Sequence, residues 1–245
     1  MIKPCENRND NMNLIKENWN KEDVKEFQEH LRKMENPNKR EWATNILKTK
    51  LPVLCLKTQT IKDTVNEICK GNYLSFLDYM LWDYYENTAI NGFIISKIKD
   101  FDLMKKYLDI YSAKADNWAT CDLLSFNIKG NEDRFYNLSL EYSKSEKPFV
   151  RRIGMYILFD YITDDNYIDK IFHLLNQFEK EEHYYVNMMN AWLLCECFAK
   201  QRNKTITYLE KNKLNKFTIN MGIQKCRDSR RISSTDKEML LKYKI

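Results

Sequence analysis

The amino-acid sequence predicts an all-helical protein made of repeated helix pairs. The 245 residues include only five glycines and four prolines, whereas a barrel or sandwich needs turn chemistry about every ten residues. Hydrophobic residues make up 43% of the chain, which is enough to bury a substantial core. Stretches such as residues 165–175 carry apolar side chains at the spacing of one helical face. Helices joined by short polar loops therefore fit this sequence best.

A segment that recurs along the chain indicates that these helices form repeats. Each copy has an aromatic residue, then polar residues, then an apolar helix, and the copies begin at Tyr85, Trp118, Phe149 and Tyr185. Their starts lie 33, 31 and 36 residues apart. A period in this range with two helices per unit is typical of HEAT- or armadillo-like repeats. The sequence thus predicts a HEAT-like helical-repeat solenoid with a concave groove.

The ends of the predicted domain follow from local signals. We expect residues 1–17 to form a disordered N-terminal arm and residues 18–245 to form a single repeat domain. Asn36-Pro37-Asn38 predicts a turn in the N-terminal cap, and the Ser233-x-x-Asp236 capping box predicts the start of the last helix. Trp19, Trp42 and Trp82 are interpreted as core residues.

Composition excludes several kinds of site. The seven cysteines are scattered without a C-x-x-C pair, and only three histidines occur, so neither a zinc site nor a disulfide framework is expected. Gly-rich phosphate loops and nucleophile elbows are absent. No uncharged apolar stretch approaches a membrane span, and the start lacks a secretory signal. We expect a cytoplasmic monomer with reduced thiols and with no metal, cofactor or membrane association.

The net charge of +5 hides an asymmetry along the chain. Residues 200–245 carry 13 Lys and Arg against 4 Asp and Glu, a net of +9, whereas the other residues have a net charge of −4. Such a concentration of positive charge is expected of a face that binds a polyanion. The alternative is an ordinary solvated helix surface.

Polar and aromatic side chains from successive repeats are predicted to meet in one groove. Trp118 and Asp122 are four residues apart and share one helical face. Arg152 lies in the matching turn of the next repeat, and Trp192 lies in the helix after that. The alternatives are an exposed Asp122 favoured by the helix dipole, a Trp192 in the core, and Arg151 with Arg152 as a solvated pair.

Four motifs occur in order along the chain: Lys50–Lys62, Trp118-x-x-x-Asp122, Phe149-Val-Arg151-Arg152, and a segment that ends at Trp192. With these motifs, the chain from about Trp19 to its end resembles the DNA alkylation repair family of HEAT-like alkylpurine DNA glycosylases (AlkD-like). The resemblance covers the family's Trp-x-x-x-Asp and Trp-x-x-Arg motifs and its second functional Trp. Residues 214–225 also look like the closing helices of that family.

The resemblance implies a repair glycosylase that removes cationic N3- and N7-alkylpurines from duplex DNA. Asp122 is then the catalytic carboxylate, which stabilises the developing oxocarbenium ion. Trp118 and Trp192 offer π faces to the cationic nucleotide, and Arg152 holds a phosphate near the lesion. In this family the lesion stays stacked against the groove, so a deep base pocket is not required.

Further contacts to DNA phosphates are expected from Arg151 and from four residues of the basic tail: Lys225, Arg227, Arg230 and Arg231. The partner is thus double-stranded DNA that carries alkylated purines. A role on DNA also predicts an intracellular protein, associated with the nucleoid if the source is bacterial.

The chain departs from the family at several positions. Cys55 stands where Gly is usual, Ile46 where some members have a Tyr directed at DNA, and Glu196 where a basic residue often occurs. Glu196 would repel phosphate if it pointed into the groove. Two alternatives therefore remain: a catalytically silent DNA-binding relative and a helical-repeat scaffold for other proteins.

Overall fold

The computed structural model describes residues 12–245, and all regular secondary structure in this range is helical. The all-helical prediction is confirmed. In chain order the helices are α1 (Lys21–Lys33), α2 (Arg40–Leu47), α3 (Thr58–Ile68), α4 (Tyr73–Leu77), α5 (Tyr85–Ile95), α6 (Phe101–Lys114), α7 (Trp118–Asp122), α8 (Glu132–Ser143), α9 (Pro148–Ile157), α10 (Ile168–Leu175), α11 (Tyr184–Lys200), α12 (Arg202–Leu209), α13 (Lys216–Asp228) and α14 (Ser234–Met239).

The aromatic-led segments mark helix starts, as predicted. They begin α5, α7, α9 and α11, each within one residue of the observed first helical position. Pro37–Lys39 forms a single 3₁₀ turn at the predicted Asn-Pro-Asn site. The side chain of Ser233 accepts a hydrogen bond from the backbone N–H of Asp236 at 3.1 Å, which confirms the predicted N-cap of α14.

The chain divides into two compact units. The first runs to Tyr111 and includes Leu123–Ser125, and the second contains Ser112–Asp122 and Phe126–Ile245. Residues 1–11 of the predicted arm lie outside the described part of the chain. Residues 12–17 are packed on the first unit instead of forming an arm, because Leu14 is buried and Lys16 pairs with Asp23 at 2.7 Å.

The first unit has an aromatic core around Trp19. Its ring meets Phe27 and Phe76 edge to face, with centroids 5.8 and 5.0 Å away. Trp42 is different: 66% of it is exposed, and α2 buries none of its residues. The prediction of a core Trp42 was wrong, because no element within residues 12–245 covers that face of α2.

The loop before α3 contains Cys55 in a left-handed conformation, with φ of 63°. The buried carboxylate of Glu86 on α5 accepts hydrogen bonds from the N–H groups of Leu54 at 3.0 Å and Leu56 at 3.3 Å. These two bonds hold the backbone on both sides of Cys55. Glycine is the residue that adopts this region of φ most readily, because a side chain is strained there.

The second unit stacks α7, α9, α11 and α13 in succession, with α8 against α9. Two glycines allow close approach of neighbouring helices. A Cβ on Gly154 would lie 2.8 Å from Cβ of Tyr142, and one on Gly222 would lie 2.8 Å from Cδ2 of Leu194. Asn187 and Thr218 join α11 to α13 through a buried hydrogen bond of 2.9 Å. This stacking positions the candidate site.

Candidate functional site

The centre of the candidate site is an ion pair between α7 and α9. Nε of Arg152 donates to Oδ1 of Asp122 at 2.9 Å, and Nη2 donates to Oδ2 at 2.6 Å. Nη1 donates to the carbonyl oxygen of Tyr185 at 2.5 Å. The Asp122 side chain keeps 16% of its surface exposed, whereas that of Arg152 keeps 6%. The pair therefore presents its carboxylate, and not its guanidinium, to solvent.

Local hydrogen bonds hold α7 in place although it is only five residues long. The buried Asn117 side chain caps the helix by accepting from the N–H of Thr120 at 3.1 Å. The thiol of Cys121 donates to the carbonyl oxygen of Phe149 on α9, with a sulfur–oxygen distance of 3.6 Å. Both contacts flank Asp122, so the carboxylate is fixed from its own helix and from the next one.

The ionisation of Asp122 reflects two opposing effects. Burial raises the pKa of its carboxyl group above the ordinary value, because the charged form is desolvated. The hydrogen bonds and positive charge of Arg152, together with the charge of Lys225, oppose that rise. The net pKa is raised. A bidentate guanidinium partner nevertheless favours the carboxylate at neutral pH.

Trp192 on α11 lies in an aromatic group with Tyr156 of α9 and Phe159. It is half-buried, and its ring meets Phe159 edge to face, with centroids 4.7 Å apart. The ring of Tyr156 on α9 lies 6.2 Å from it, centroid to centroid. Glu196 lies one helical turn along α11, and its interaction with the Trp192 side chain contributes to the lowering of the Glu196 pKa. Trp192 is thus partly accessible, and its ring is packed against Tyr156 and Phe159.

Tyr156 is a residue of this site that the sequence analysis missed. It follows Arg152 by four positions on α9 and therefore lies on the same face. Burial raises the pKa of its hydroxyl group, and the negative charge of Asp122 raises it further. Tyr156 is thus close to both the carboxylate and Trp192. The i, i+4 spacing from Arg152 was the signal that could have revealed it.

Glu196 does not stand as an isolated charge. Arg231, in the segment between α13 and α14, donates to both of its oxygens, from Nη1 at 2.9 Å and from Nη2 through a shorter contact. This pairing and hydrogen bond lower the pKa of the Glu196 carboxyl group. The negative charge that the sequence analysis identified as a possible repulsion of phosphate is therefore largely balanced by Arg231.

The remaining predicted residues are placed as follows. Trp118 is half-buried at the first position of α7, four residues before Asp122. Arg151 bonds to both carboxylate oxygens of Glu181, at 2.7 and 2.9 Å, and to the carbonyl groups of Ser145 and Glu146. It therefore fastens the loop before α9, whereas Arg152 joins Asp122. The predicted contact of Arg151 with DNA stays a prediction.

The four residues of the basic tail (residues 200–245) that were predicted to bind DNA differ in their surroundings. Arg227 lies 3.9 Å from Glu238, and Arg231 holds Glu196. Lys225 on α13 is half-buried within electrostatic range of Asp122, and Arg230 is exposed. Of the four predicted DNA contacts in the tail, Lys225 is thus the one that acts directly on the carboxylate.

Two further features concern metal ions and membranes. Among residues 12–245, His, Cys, Asp and Glu side chains form no group of three or more that could hold a metal ion. Over the same range, every helix is too short or too polar to cross a membrane.

The sequence of the chain can be compared with known proteins. No curated protein is significantly similar to the chain. The family described as DNA alkylation repair enzyme matches residues 27–226, which include Trp118, Asp122, Arg152 and Trp192. This match covers most of the chain, and it supports a role in DNA repair. The chain therefore belongs to the DNA alkylation repair enzyme family.

Proposed function

We propose that this protein is a DNA glycosylase of base excision repair that hydrolyses the N-glycosidic bond of cationic N3- and N7-alkylpurines in duplex DNA. One observation carries the proposal: the carboxylate of Asp122 is held through both oxygens by Arg152 and still reaches solvent. An alkylated purine with a positive charge is already a good leaving group, because its departure neutralises that charge. The remaining difficulty is the positive charge that develops on the deoxyribose, which the protein must stabilise.

Asp122 supplies that stabilisation in the proposed mechanism. As the base leaves, positive charge develops on the deoxyribose, as in glycoside hydrolysis generally. A carboxylate already fixed beside C1′ lowers the energy of this oxocarbenium ion without reorganising during the reaction. The same carboxylate orients the water molecule that attacks C1′. Arg152 acts here as a positioning residue, since its guanidinium fixes the carboxylate in one orientation.

The aromatic side chains give the proposed site its preference for charged lesions. Trp118 and Trp192 offer π faces to a cationic nucleotide, at about 0.5–2 kcal/mol per contact. Both are half-buried, so each keeps some of its surface available. A neutral lesion gains less from these faces and also needs a proton on departure. Asp122, ionised at neutral pH, does not provide one.

The proposal is tested by release of free base from duplex DNA that carries N7-methylguanine. We expect Asp122→Asn to bind DNA like the parent protein but to excise the base roughly 10²–10³-fold more slowly. Asp169→Asn is the matched control, since Asp169 is an exposed carboxylate on α10 of the same unit. It should leave excision unchanged. Excision by Asp122→Asn at the parent rate would remove Asp122 from the mechanism.

The same assay on ethenoadenine, a neutral lesion, tests the basis of selectivity. We expect release of N7-methylguanine and little release of ethenoadenine from otherwise identical duplexes. Efficient release of the neutral base would require a general acid and would move the site away from Asp122. A parent protein that binds DNA but releases neither base would favour the alternative of a catalytically silent relative.

A further inference from the structure

A continuous strip of aromatic and imidazole rings crosses the N-terminal ends of α9, α11 and α13. Phe149 on α9 meets His183, the N-cap of α11, edge to face with 5.5 Å between centroids, and it meets Tyr185 at 5.8 Å. Tyr184 meets Tyr185 at 5.1 Å and Phe217 on α13 at 5.7 Å, again edge to face. This aromatic strip places the starts of three helices of the second unit side by side.

One end of the aromatic strip faces solvent. Tyr184 is 54% exposed and Phe217 is 39% exposed, whereas Phe149, His183 and Tyr185 are half-buried. Tyr184 and Phe217 line an open surface cavity of about 450 Å³ with mainly apolar walls. Two exposed rings in mutual contact form a patch, and an apolar patch left in water is a common mark of a binding surface.

The polar side chains of this cavity are already used within the protein. The side-chain amide of Asn215 donates to the carbonyl oxygen of Glu181 at 3.1 Å and to the side-chain oxygen of Asn187 at 3.0 Å. Its own oxygen accepts from the N–H of Thr218 at 2.9 Å. Asn187 in turn donates to the carbonyl oxygen of Glu181 at 2.9 Å. The cavity therefore offers a ligand mainly the faces and edges of its rings.

Positive charge surrounds the exposed rings. A second cavity adjoins the first and shares Glu181 and Glu182 with it. The cations of the described chain that line these two cavities are Lys144, Arg151, Lys180 and Lys216. Glu181 is paired with Arg151 at 2.7 Å, so the three exposed lysines outnumber the remaining carboxylate, Glu182. Exposed rings beside an excess of lysines fit a nucleic acid, whose bases stack and whose phosphates are anionic.

The aromatic strip is continuous with the candidate site. The carbonyl oxygen of Tyr185 accepts a hydrogen bond from Nη1 of Arg152 at 2.5 Å, and Arg152 holds Asp122. Tyr184 precedes Tyr185 directly in α11. One DNA molecule that occupies the candidate site can therefore also reach the exposed rings.

We propose that Tyr184 and Phe217 bind an unpaired nucleobase of the DNA by stacking, while Lys180 and Lys216 hold neighbouring phosphates. The bases of an intact duplex are already stacked on each other, so only an unpaired base can present its face to these rings. Stacking tolerates every base, because each has a π face, so the contact selects an unpaired nucleotide and not a sequence. The proposal takes DNA as the partner from the family and needs no glycosylase activity.

The contact is tested with a duplex that carries one unpaired 5-iodouracil nucleotide as a bulge. Light cross-links this base to an aromatic side chain that stacks on it, and digestion of the complex identifies the modified peptide. We expect the cross-link at Tyr184 or Phe217 of the full chain. A cross-link at Trp118, at Trp192 or at any residue outside the aromatic strip would overturn the proposal, as would a bound complex that forms no cross-link.

Equilibrium binding supplies a second measurement. The parent protein should bind the bulged duplex more tightly than a fully paired duplex of the same sequence. Tyr184→Leu should weaken binding to the bulged duplex by roughly 5–100-fold and leave binding to the paired duplex unchanged. Tyr184→Phe keeps the ring and should bind both duplexes like the parent. Tyr79→Leu removes an exposed ring of the first unit and is the matched control.

The outcomes separate this proposal from the proposed function. Equal affinity of the parent protein for the two duplexes, or a Tyr184→Leu variant that keeps the preference, would overturn the stacking contact. The exposed rings would then be better explained as a surface for another protein. Neither measurement depends on excision, so a protein that prefers the bulged duplex but releases no base would contradict only the glycosylase proposal.

Discussion

Asp122 must be an anion to stabilise a cationic sugar, so its surroundings set the pH range of the proposed reaction. Burial raises the pKa of this carboxyl group, and Arg152 counteracts that effect. Protonation removes the required charge, so excision falls as pH decreases through the pKa of Asp122. Since that pKa is raised, the midpoint of the fall should lie above the ordinary aspartate value of about 3.9. Single-turnover excision measured against pH locates it.

Arg152→Lys makes that prediction specific to the ion pair. A lysine keeps the positive charge but cannot occupy both carboxylate oxygens in the fixed geometry of a guanidinium. We expect the midpoint of the acid limb to move to higher pH and the rate at neutral pH to fall. A variant with an unchanged acid limb and parent rate would show that Arg152 does not position Asp122. The more disruptive Arg152→Ala leaves a buried carboxylate unpaired, at a cost of roughly 3–5 kcal/mol in stability.

The backbone conformation of Cys55 is strained, and a single substitution can remove this strain. Its φ of 63° places a residue with a side chain in the left-handed region, which costs about 1–2 kcal/mol, whereas glycine adopts it freely. Cys55→Gly should therefore raise the free energy of unfolding by up to about 1 kcal/mol after the larger chain entropy of glycine is subtracted. Urea denaturation measures this change. Cys55→Ala is the control that keeps the strain, and equal stability of the two variants would contradict the argument.

At the scale of helices, the close approach of α8 and α9 depends on Gly154. A Cβ there would lie 3.0 Å from the carbonyl oxygen of Ser139 and 3.0 Å from the backbone nitrogen of Ser143. Backbone atoms cannot move aside locally, so Gly154→Ala should destabilise the protein by roughly 1–3 kcal/mol despite the better helix propensity of alanine. Gly222→Ala is the comparison, since its nearest neighbour is the flexible end of Leu194.

Thermal or urea unfolding of both glycine variants separates a general effect of alanine from the predicted contact. Gly154→Ala should also reduce excision, because α9 carries both Arg152 and Tyr156. If Gly154→Ala is as stable as the parent protein, then α8 and α9 adjust more readily than their backbone contact indicates.

For the molecule as a whole, the net charge of +9 in residues 200–245 overstates the charge that is free to meet DNA. Arg202 is paired with Asp236 at 2.6 Å, and Arg231 is paired with Glu196. Neutralising the exposed Arg230 or the half-buried Lys225 should lower the slope of log affinity against log salt by about 0.9 for each DNA phosphate that the variant no longer neutralises. Arg202→Gln should change that slope less.

Equilibrium binding to undamaged duplex DNA at several salt concentrations checks these slopes. The lowered affinity should be the same for damaged and undamaged duplexes, since phosphate contacts do not select the lesion. Unchanged slopes for both Arg230→Gln and Lys225→Gln would show that these two side chains do not contact DNA phosphates. The scaffold alternative would then gain support.

The sequence by itself determined the helical class, the starts of the repeat helices and the family of the chain. Period and helix caps are local properties, so Tyr85, Trp118, Phe149 and Tyr185 could be recognised as helix starts from nearby residues alone. The sequence also indicated the family through the order of its motifs, and the family match over residues 27–226 confirms that membership.

Only the tertiary structure decided which partners these residues have. Arg152 is paired with Asp122 and Glu196 with Arg231, although the partners are 30 and 35 residues apart in sequence. Such pairings depend on how neighbouring helices stack and rotate, which no local pattern encodes. For the same reason the exposure of Trp42 was missed: burial requires a covering element, and hydrophobic character alone does not supply one.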